Sequence, residues 1–421
     1  MNPFTQQDWI VRIFGRLNEV QANLGHEPTP GVDANVRFAD LLDSMGMVEL
    51  LALLAEDCGV KPEAIEQAAK RRFGTIAELA QGLDTAGLAP LAPAAQQASS
   101  PQSQTVTANW LLATAVKLPE AVQPASAINE ALQRPPHWLE EHAGILQRRI
   151  WKDQDPLTAA VQAGQECLKR AGLAPQDVGT LLVTSEAPPL LIGVAAALHD
   201  RLELTADAVA MEIGGACTGF LSALWVAQSL LPQRRLVMVI AIEAVTRYLL
   251  LQPGPPGEAA ALFGDAAAAC LLGEAPAGAS AVPLRKVVLG CDGSGASLLR
   301  VEHDPQRAFA LHMRGMELAG RAVNAMAQAV HGLLHDYCLK VDDLAAVIAH
   351  GGNGRMPSLL ARKLGLPPER VWSETETTGN LGSASLPVAW AARESRPPGP
   401  VIWTAVGAGL TWGAAMLGTP H

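Results

Sequence analysis

The sequence predicts a small acidic all-α module joined by a linker to a large α/β domain with sheets sandwiched between helices. Three observations lead there. Residues 1–90 hold 13 acidic and 7 basic side chains, net −6, against −10 for the 421-residue chain, so a compact acidic unit stands at the front. Residues 85–107, TAGLAPLAPAAQQASSPQSQTVT, carry no charge and no apolar period, which is the composition of a linker. Beyond it, apolar runs of strand character alternate with helical stretches, the pattern of layered α/β proteins.

In the front module, 5–24 and 47–57 read as amphipathic helices, with a shorter helical piece at 75–83. In the large module the expected strands are 179–185, 208–213, 235–242, 264–272, 286–290, 345–350 and 400–406. The expected helices are 156–172, 218–231, 317–338 and 355–365. An apolar share of 49% with only 4% aromatics points to close layers of Ala, Val, Leu and Gly. Domain boundaries follow at 1–86, 87–107 (linker) and 108–421.

Composition also excludes function classes. A net charge of −10 argues against nucleic acid as a partner, because phosphate binding needs basic surface. The start, MNPFTQQDWIVRIFG, lacks the basic and apolar regions of a signal peptide, and no apolar run is long enough to span a bilayer. The six cysteines (58, 167, 217, 270, 291, 338) have no CxxC pair and no framework spacing, so reduced cytoplasmic thiols are expected. No metal site is expected: His331 and His335 stand i, i+4, but no third ligand follows nearby.

Four positions carry chemistry. Ser44 opens the helix of LLDSMGMVELLALL behind Asp43; an isolated Asp-Ser pair there is normally an N-cap. Cys217 sits in EIGGACTGFLSAL, a strand, two glycines, a cysteine and then a helical run. This is the form of a tight strand-to-helix turn that presents a nucleophile. The positive end of the helix dipole is expected to favour the thiolate there. His350 ends AAVIAH before GGNGR, and Asn380 lies in TTGNLGSASLP, both Gly-rich approaches to helices. All three fall at strand ends bounded by glycine, as one shared cleft would require.

Residues 5–85 resemble an acyl carrier protein on Phe38, Leu41, Asp43, Ser44, Val48, Glu49 and Leu50. The resemblance implies a four-helix bundle whose Ser44 bears 4′-phosphopantetheine, installed by a phosphopantetheinyl transferase, with Met45, Met47 and Glu49 on the helix that partners read. The LLDSMG form looks more like carriers of small polar acyl groups than of fatty acids. A tethered arm raises the effective concentration of its thioester at a site on the same chain.

Residues 108–421 resemble β-ketoacyl-acyl-carrier-protein synthase III of the thiolase superfamily. The matching segments are HWLEEHAGILQRRI (137–150), ACTGFLSAL (216–224), IEAVTRYL (242–249), ALFGDAAAACLL (261–272), HMRGMELAGRAV (312–323), HGGNGRM (350–356), GNLGSAS (379–385) and VGAGLTWGAA (406–415). The resemblance implies an αβαβα thiolase-like domain and a homodimer. It makes Cys217 the acyl acceptor, His350 and Asn380 the pair that stabilises a thioester enolate, and the backbone N–H groups of Cys217 and Ala408 the oxyanion hole. It places carrier docking at Arg355, Arg362 and Lys363; a solvated helix face is the alternative reading of those three. The substrates implied are carrier-bound or CoA thioesters.

Several positions depart from that pattern. Trp138 of the adenine site remains, but His142-Ala143 replaces Arg-Thr and Gly257 replaces a basic residue, which favours a carrier-bound donor over CoA. HGGN stands for HQAN, Leu381 for a hydroxyl residue, Val406 for an aromatic, and SEAPPLLIG (185–193) differs where the acyl pocket is shaped. Decarboxylative condensation is the leading expectation. Acyl transfer to a hydroxyl, amine or thiol without loss of CO2 is the second, and a non-catalytic domain that only positions the carrier is the third.

Overall fold

The structure is a computed structural model that describes residues 5–23, 33–42, 44–60, 62–68, 74–89, 109–187, 193–231, 236–275, 281–304, 308–393 and 398–418. The chain divides into two compact units, 1–104 and 105–421. Most of the expected linker lies outside the described residues.

In the first unit the described helices are α1 (Gln6–Asn23), α2 (Ser44–Cys58), α3 (Pro62–Ala68) and α4 (Ile76–Thr85). Trp9, Ile13, Leu17 and Val20 recur at helical spacing along α1 and are fully buried. They close on Phe38, Leu50, Leu54, Ile65, Ile76, Leu79 and Leu83 as one core. A capping box starts α4: Thr75 Oγ1 accepts from Glu78 N–H, and Glu78 Oε2 accepts from Thr75 N–H. The α3 helix was missing from the sequence expectations, because KPEAIEQAAK holds one large apolar residue, Ile65, and no stripe.

The second unit is built on ten strands: β1 (Trp110–Lys117), β2 (Thr180–Thr184), β3 (Val209–Ile213), β4 (Leu236–Glu243), β5 (Ala266–Gly273), β6 (Val282–Cys291), β7 (Ala346–Ala349), β8 (Val371–Trp372), β9 (Val401–Gly407) and β10 (Thr411–Leu417). Their order is β8-β7-β9-β10-β6-β1-β5-β4-β2-β3. Among the described residues β1 and β6 pair only at Trp110↔Pro283 and Leu111↔Val282, so the sheet is in effect two five-stranded sheets.

The halves repeat one plan. In the first, β2 runs parallel to β3 and β4, and β5 pairs antiparallel with β4 and β1. In the second, β7 runs parallel to β8 and β9, and β10 pairs antiparallel with β9 and β6. The end of β2 in one half therefore corresponds to the end of β7 in the other. Side-chain alternation along β4 divides the layers: Val237, Val239 and Ala241 enter the central core, while Met238, Ile240 and Ile242 enter the outer one.

Helix α5 (Pro156–Ala171) packs on the outer face of the first half through Leu157, Val161 and Leu168. Its ends are well specified: Asp155 caps Leu157 and Thr158 N–H, Pro156 stands at the first position, and Gly172 turns left-handed after it. Between the half-sheets lie α6 (Gly219–Leu230) and, after Asn380, α9 (Ser385–Ala391), joined through Phe220, Leu224, Leu386, Trp390 and Trp403. The outer face of the second half carries α7 (Gly315–Asp336) and α8 (Met356–Leu364), with Met326, Val330, Leu333 and Leu360 buried. The result is the αβαβα stacking expected of a thiolase-like domain.

The seven expected strands are all present, shifted by a residue or two except that β6 starts at Val282. Three strands of this sheet were missed: β1, whose WLLATAV follows directly on the uncharged linker, β8, which is only two residues long, and β10, whose TWGAAML is half small residues. Buried between helices, β1 and β10 need close approach more than β-branched side chains. No described helix is long and apolar enough to cross a membrane.

Candidate active site

Cys217 lies in a 3₁₀ turn, Ala216–Thr218, between β3 and α6. The chain reverses through Gly215 at φ +135° and Ala216 at φ +49°, a left-handed conformation that a non-glycine residue adopts at a cost. A Cβ on Gly215 would stand 2.9 Å from Ser222 Oγ, and one on Gly219 would collide with Thr184 Oγ1. The glycines are therefore needed for the close fit of α6 against β2. Thr218 Oγ1 pins the turn at 2.6 Å from Gly215 O and 2.9 Å from Thr411 Oγ1.

The turn abuts the end of β9. A Cβ on Gly407 would fall 3.1 Å from Cys217 N and 2.9 Å from Gly215 O. Ala408 follows directly, so the two backbone positions expected to form the oxyanion hole belong to adjoining turns.

His350 follows β7 and is buried; its N–H donates to Thr404 O at 2.9 Å. Its Nδ1 is 3.1 Å from Ser385 Oγ. Burial pushes the imidazole down to about 4, so the ring is neutral at physiological pH. In the tautomer in which Ser385 donates to Nδ1, the ring proton resides on Nε2 as a donor.

Asn380 is also buried. Its N–H donates to Leu262 O at 2.7 Å, and its carbonyl accepts from Gly264 N–H at 2.9 Å. Oδ1 accepts from Gly382 N–H at 2.9 Å, which orients the amide so that its NH2 is directed away from that loop. Asn380, Gly382, Ser383 and Ser385 thus form one short connection that holds the Asn amide at one end and the His ring at the other. Glycine at 264 permits this connection, since a Cβ there would strike Thr378 O. Asp265 next to it accepts from Trp151 N–H and Thr246 N–H at 2.9 and 3.0 Å, while buried Arg148 donates to Ala260 O and Phe263 O.

Two carboxyls that sequence reasoning did not single out stand beside Cys217. Glu186, just after β2, is half-buried and lies within electrostatic reach of the Cys217 thiol. Glu243, at the end of β4, is fully buried and accepts from Ser383 N–H at 3.0 Å, Glu186 N–H at 2.9 Å and Ala187 N–H at 3.3 Å, and from the hydroxyls of Ser383 and Ser185. Burial raises both carboxyls, Glu243 to about 8 in the field of Glu186.

Here the thiolate expectation needs correction. Burial, followed by the negative charges of Glu186 and Glu243, pushes the Cys217 thiol well above its ordinary range. A turn at a helix N-terminus supplies a fraction of a positive charge, and full desolvation next to carboxylates outweighs it. The resting sulfur is a thiol.

Near the expected carrier and nucleotide sites, α8 starts after HGGNG. Asn353 Oδ1 caps it, accepting from Arg355 and Met356 N–H at 2.9 and 3.1 Å. Arg355 and Arg362 are exposed, Lys363 is half-buried, and Leu359 is 40% exposed between the two arginines. Gly354 N–H donates to Ala143 O at 2.7 Å, which puts the start of α8 against the helix Trp138–Ala143. Trp138 stacks with His142 at 5.2 Å, and Arg134 lies over the Trp138 ring at 5.4 Å while paired with Glu258. A Cβ on Gly257 would run into Gln252 O, so this backbone excludes the basic residue expected of the CoA-using pattern.

Ser44 is the first residue of α2; its side chain, Asp43, Met45 and the side chain of Glu49 lie outside the described residues, as does 188–192. Among the described residues no group of three or more His, Cys, Asp or Glu could hold a metal ion. His331 and His335 lie exposed on α7.

Comparison with known proteins bears on the second unit. Residues 211–293 match the family model of 3-oxoacyl-[acyl-carrier-protein] synthase III, and 334–419 match the model of its C-terminal part. The β-ketoacyl-[acyl-carrier-protein] synthase III of Rhizorhabdus wittichii is 30% identical over 315 residues, covering 73% of this chain and 98% of the relative. A 3-oxopimeloyl-[acyl-carrier-protein] synthase of Rhodothermus marinus is 32% identical over 324 residues, covering 73% and 92%. The crystal structure of 3-oxoacyl-(acyl carrier protein) synthase III from Pseudomonas aeruginosa PAO1 superposes with a TM-score of 0.67 at 28% identity, covering 75% of this chain and 99% of that one.

Proposed function

The chain belongs to the β-ketoacyl-acyl-carrier-protein synthase III family, and from that premise we propose that it loads an acyl group onto Cys217 and condenses it with a malonyl-type thioester. Loss of CO2 from the malonyl unit leaves an enolate, whose carbon attacks the Cys217 thioester. His350 Nε2–H and the Asn380 amide donate to the enolate oxygen, and Cys217 and Ala408 N–H hold the oxyanion of the tetrahedral intermediate. The observation that carries this reading is the pairing of a neutral His350, tethered through Nδ1, with an Asn380 amide whose oxygen is already engaged. Both groups then present donors where negative charge develops.

Ser44 is the proposed attachment point of 4′-phosphopantetheine. Its place at the start of α2, behind a half-buried Leu41-Leu42, fits a serine that a transferase must reach. When bound, the group supplies the thiol on which an acyl or malonyl unit rides. Arg355, Arg362 and Lys363 are proposed to receive a carrier surface, with Leu359 as the apolar contact among them. A carrier-bound donor suits a chain in which Gly257 takes the place of a basic residue and Arg134 and His142 already engage Trp138. A homodimer and a role in polyketide-like or fatty-acid-like priming are part of the same proposal.

Incubating the pantetheinylated protein with short acyl thioesters should give an acyl adduct on Cys217 by intact mass. Adding a malonyl thioester should then release CO2 and a β-keto product. An adduct that persists in Cys217→Ala overturns the assignment of the nucleophile. An ester, amide or thioester product without CO2 assigns non-decarboxylating transfer instead.

A further inference from the structure

A buried thiol with its ionisation suppressed needs a proton acceptor, and among the described residues Glu186 is the charged group that acts on it most strongly. The proposed function leaves Glu186 unused. We propose that Glu186 is a catalytic base and acid for loading Cys217, working as one half of a carboxyl pair with the buried Glu243. The inference rests on Cys217 being the acyl acceptor.

Four observations place Glu186 in this role. Its carboxyl is the charged group that acts most strongly on the Cys217 sulfur. Its Oε1 is buried without any hydrogen-bond partner among the described residues, whereas a structural carboxyl in such a place is normally satisfied by neighbouring donors. Glu243 shows what that looks like, with three N–H groups and two hydroxyls around it. Third, the two carboxyls converge on Gly382: a Cβ there would fall 2.9 Å from Glu243 Oε1 and 3.1 Å from Glu186 Oε1. Gly382, at φ +52°, leaves the space that lets them face each other. Fourth, the repeated plan of the two half-sheets puts the residues following β2 in the place that His350 holds after β7. The two halves thereby present an acid–base group to the sulfur from one side and a neutral donor to the enolate from the other.

The proton balance is simple. Two carboxyls in one another's field, one of them fully buried, retain a proton between them near neutrality. With that proton on Glu243, toward a serine hydroxyl, Glu186 faces the thiol as carboxylate. As Sγ bonds to the carbonyl carbon of the donor thioester, the S–H proton passes to Glu186. When the intermediate collapses and the donor C–S bond breaks, Glu186 returns that proton to the departing thiolate. Cys217 ends as the thioester, the donor ends as a free thiol, and Glu186 is again a carboxylate. His350, neutral and tied to Ser385, is kept for the condensation half-reaction.

The test compares wild type with Glu186→Gln and Glu186→Asp, using two probes read by intact mass at Cys217. The first is iodoacetamide between pH 6 and 10, which needs a thiolate but no leaving-group proton. Glu186 and Glu243 are the titratable groups acting on the sulfur, so removing the Glu186 charge should lower the midpoint of alkylation by about one pH unit or more. The second is acylation by an acyl-pantetheine thioester, which should slow by about 100-fold in Glu186→Gln, the low end for a lost general acid–base group, and recover partly in Glu186→Asp. Easier alkylation with slower acylation is the signature expected. Both rates rising together would mean that Glu186 merely disfavours the thiolate, and both falling together would mean a packing role; either result overturns the proposal. If the wild type accepts no acyl group, Cys217 is not an acyl acceptor, and an unmoved alkylation midpoint separately removes Glu186 from the sulfur.

Discussion

Glu243 Oε1 accepts both the main-chain N–H and the hydroxyl of Ser383, which ties the end of β4 to the connection carrying Asn380 and His350's partner Ser385. Its other oxygen accepts from Glu186 and Ala187 N–H, so one side chain organises main chain from two separate loops of the site.

Both oxygens of Glu243 accept from main-chain N–H groups, so an amide is no conservative replacement. In Glu243→Gln the new NH2 must face main-chain N–H groups on one side or the other. Leaving one or two of them unpaired should lower stability by roughly 2 kcal/mol or more, and Glu243→Ala by at least as much. Thermal unfolding checks this. A variant within a few tenths of wild type would show that the connection holds without its acceptor.

The approach of Gly219 to Thr184 gives a coupled pair. Gly219→Ala forces Cβ into Thr184 Oγ1, and overpacking of this kind costs about 1–3 kcal/mol. Thr184 Oγ1 is buried without a hydrogen-bond partner among the described residues, so Thr184→Ala removes the obstacle while breaking no such bond. Thermal melts of the double-mutant cycle should show the Gly219→Ala penalty largely relieved in the Thr184→Ala background. Simple additivity of the two single changes would refute the contact.

His350 predicts the acid limb of stability. Its folded value of about 4 lies below the unfolded value of 6.5, so the unfolded chain binds the proton first. The stabilisation is complete above pH 6.5 and is lost as pH falls toward 4, amounting to about 3 kcal/mol for a shift of this size. Denaturant melts between pH 7 and 4 should show it, and His350→Gln should flatten that part of the profile. A wild-type profile with no more slope than His350→Gln would contradict a neutral buried ring.

Much of this site could be read in the sequence, for a physical reason. The Cys217 turn advertises itself because a sharp reversal into a tightly packed helix needs Gly215 and Gly219 locally. His350 and Asn380 are marked by glycines for the same cause. Glu186 carries no such local mark: in TSEAPP it is one exposed-looking acid in a loop, and it meets Gly382, 196 positions later in the chain, only in the fold. The charge state of Cys217 was misjudged for the related reason that the helix dipole is local, whereas desolvation and the Glu186–Glu243 pair are tertiary. Strands β1 and β10 were missed because close layers, not side-chain pattern, hold small residues extended there, and β8 because two residues carry no periodicity.

Asn380 separates two roles that one residue plays. Asn380→Asp keeps an oxygen for Gly382 N–H but removes the NH2 donor and adds charge near Glu186 and Glu243. Asn380→Ala removes both. Decarboxylation of a malonyl thioester should fall by about 100–1,000-fold in each, the usual cost of losing a preorganised donor, while loading of Cys217 changes far less. Only Asn380→Ala should also lose the Gly382 bond and melt lower. Full decarboxylation by either variant would show that the amide does not face the enolate.

The face of α8 distinguishes recognition of a carrier from recognition of its arm. Arg355 and Arg362 are exposed on either side of Leu359, and the front module is acidic, net −6 over residues 1–90. Opposite charge of this kind acts chiefly on the rate of encounter and weakens with salt. In Arg355→Glu/Arg362→Glu, kcat/KM with a carrier-bound donor should therefore fall about 10-fold at low salt, and the gap should narrow at high salt. A free acyl-pantetheine, which never meets that face, should be used as well as before. Equal losses on both donors would place the two arginines at the mouth of the site instead of on a docking surface, and no loss on either would leave them a solvated helix face.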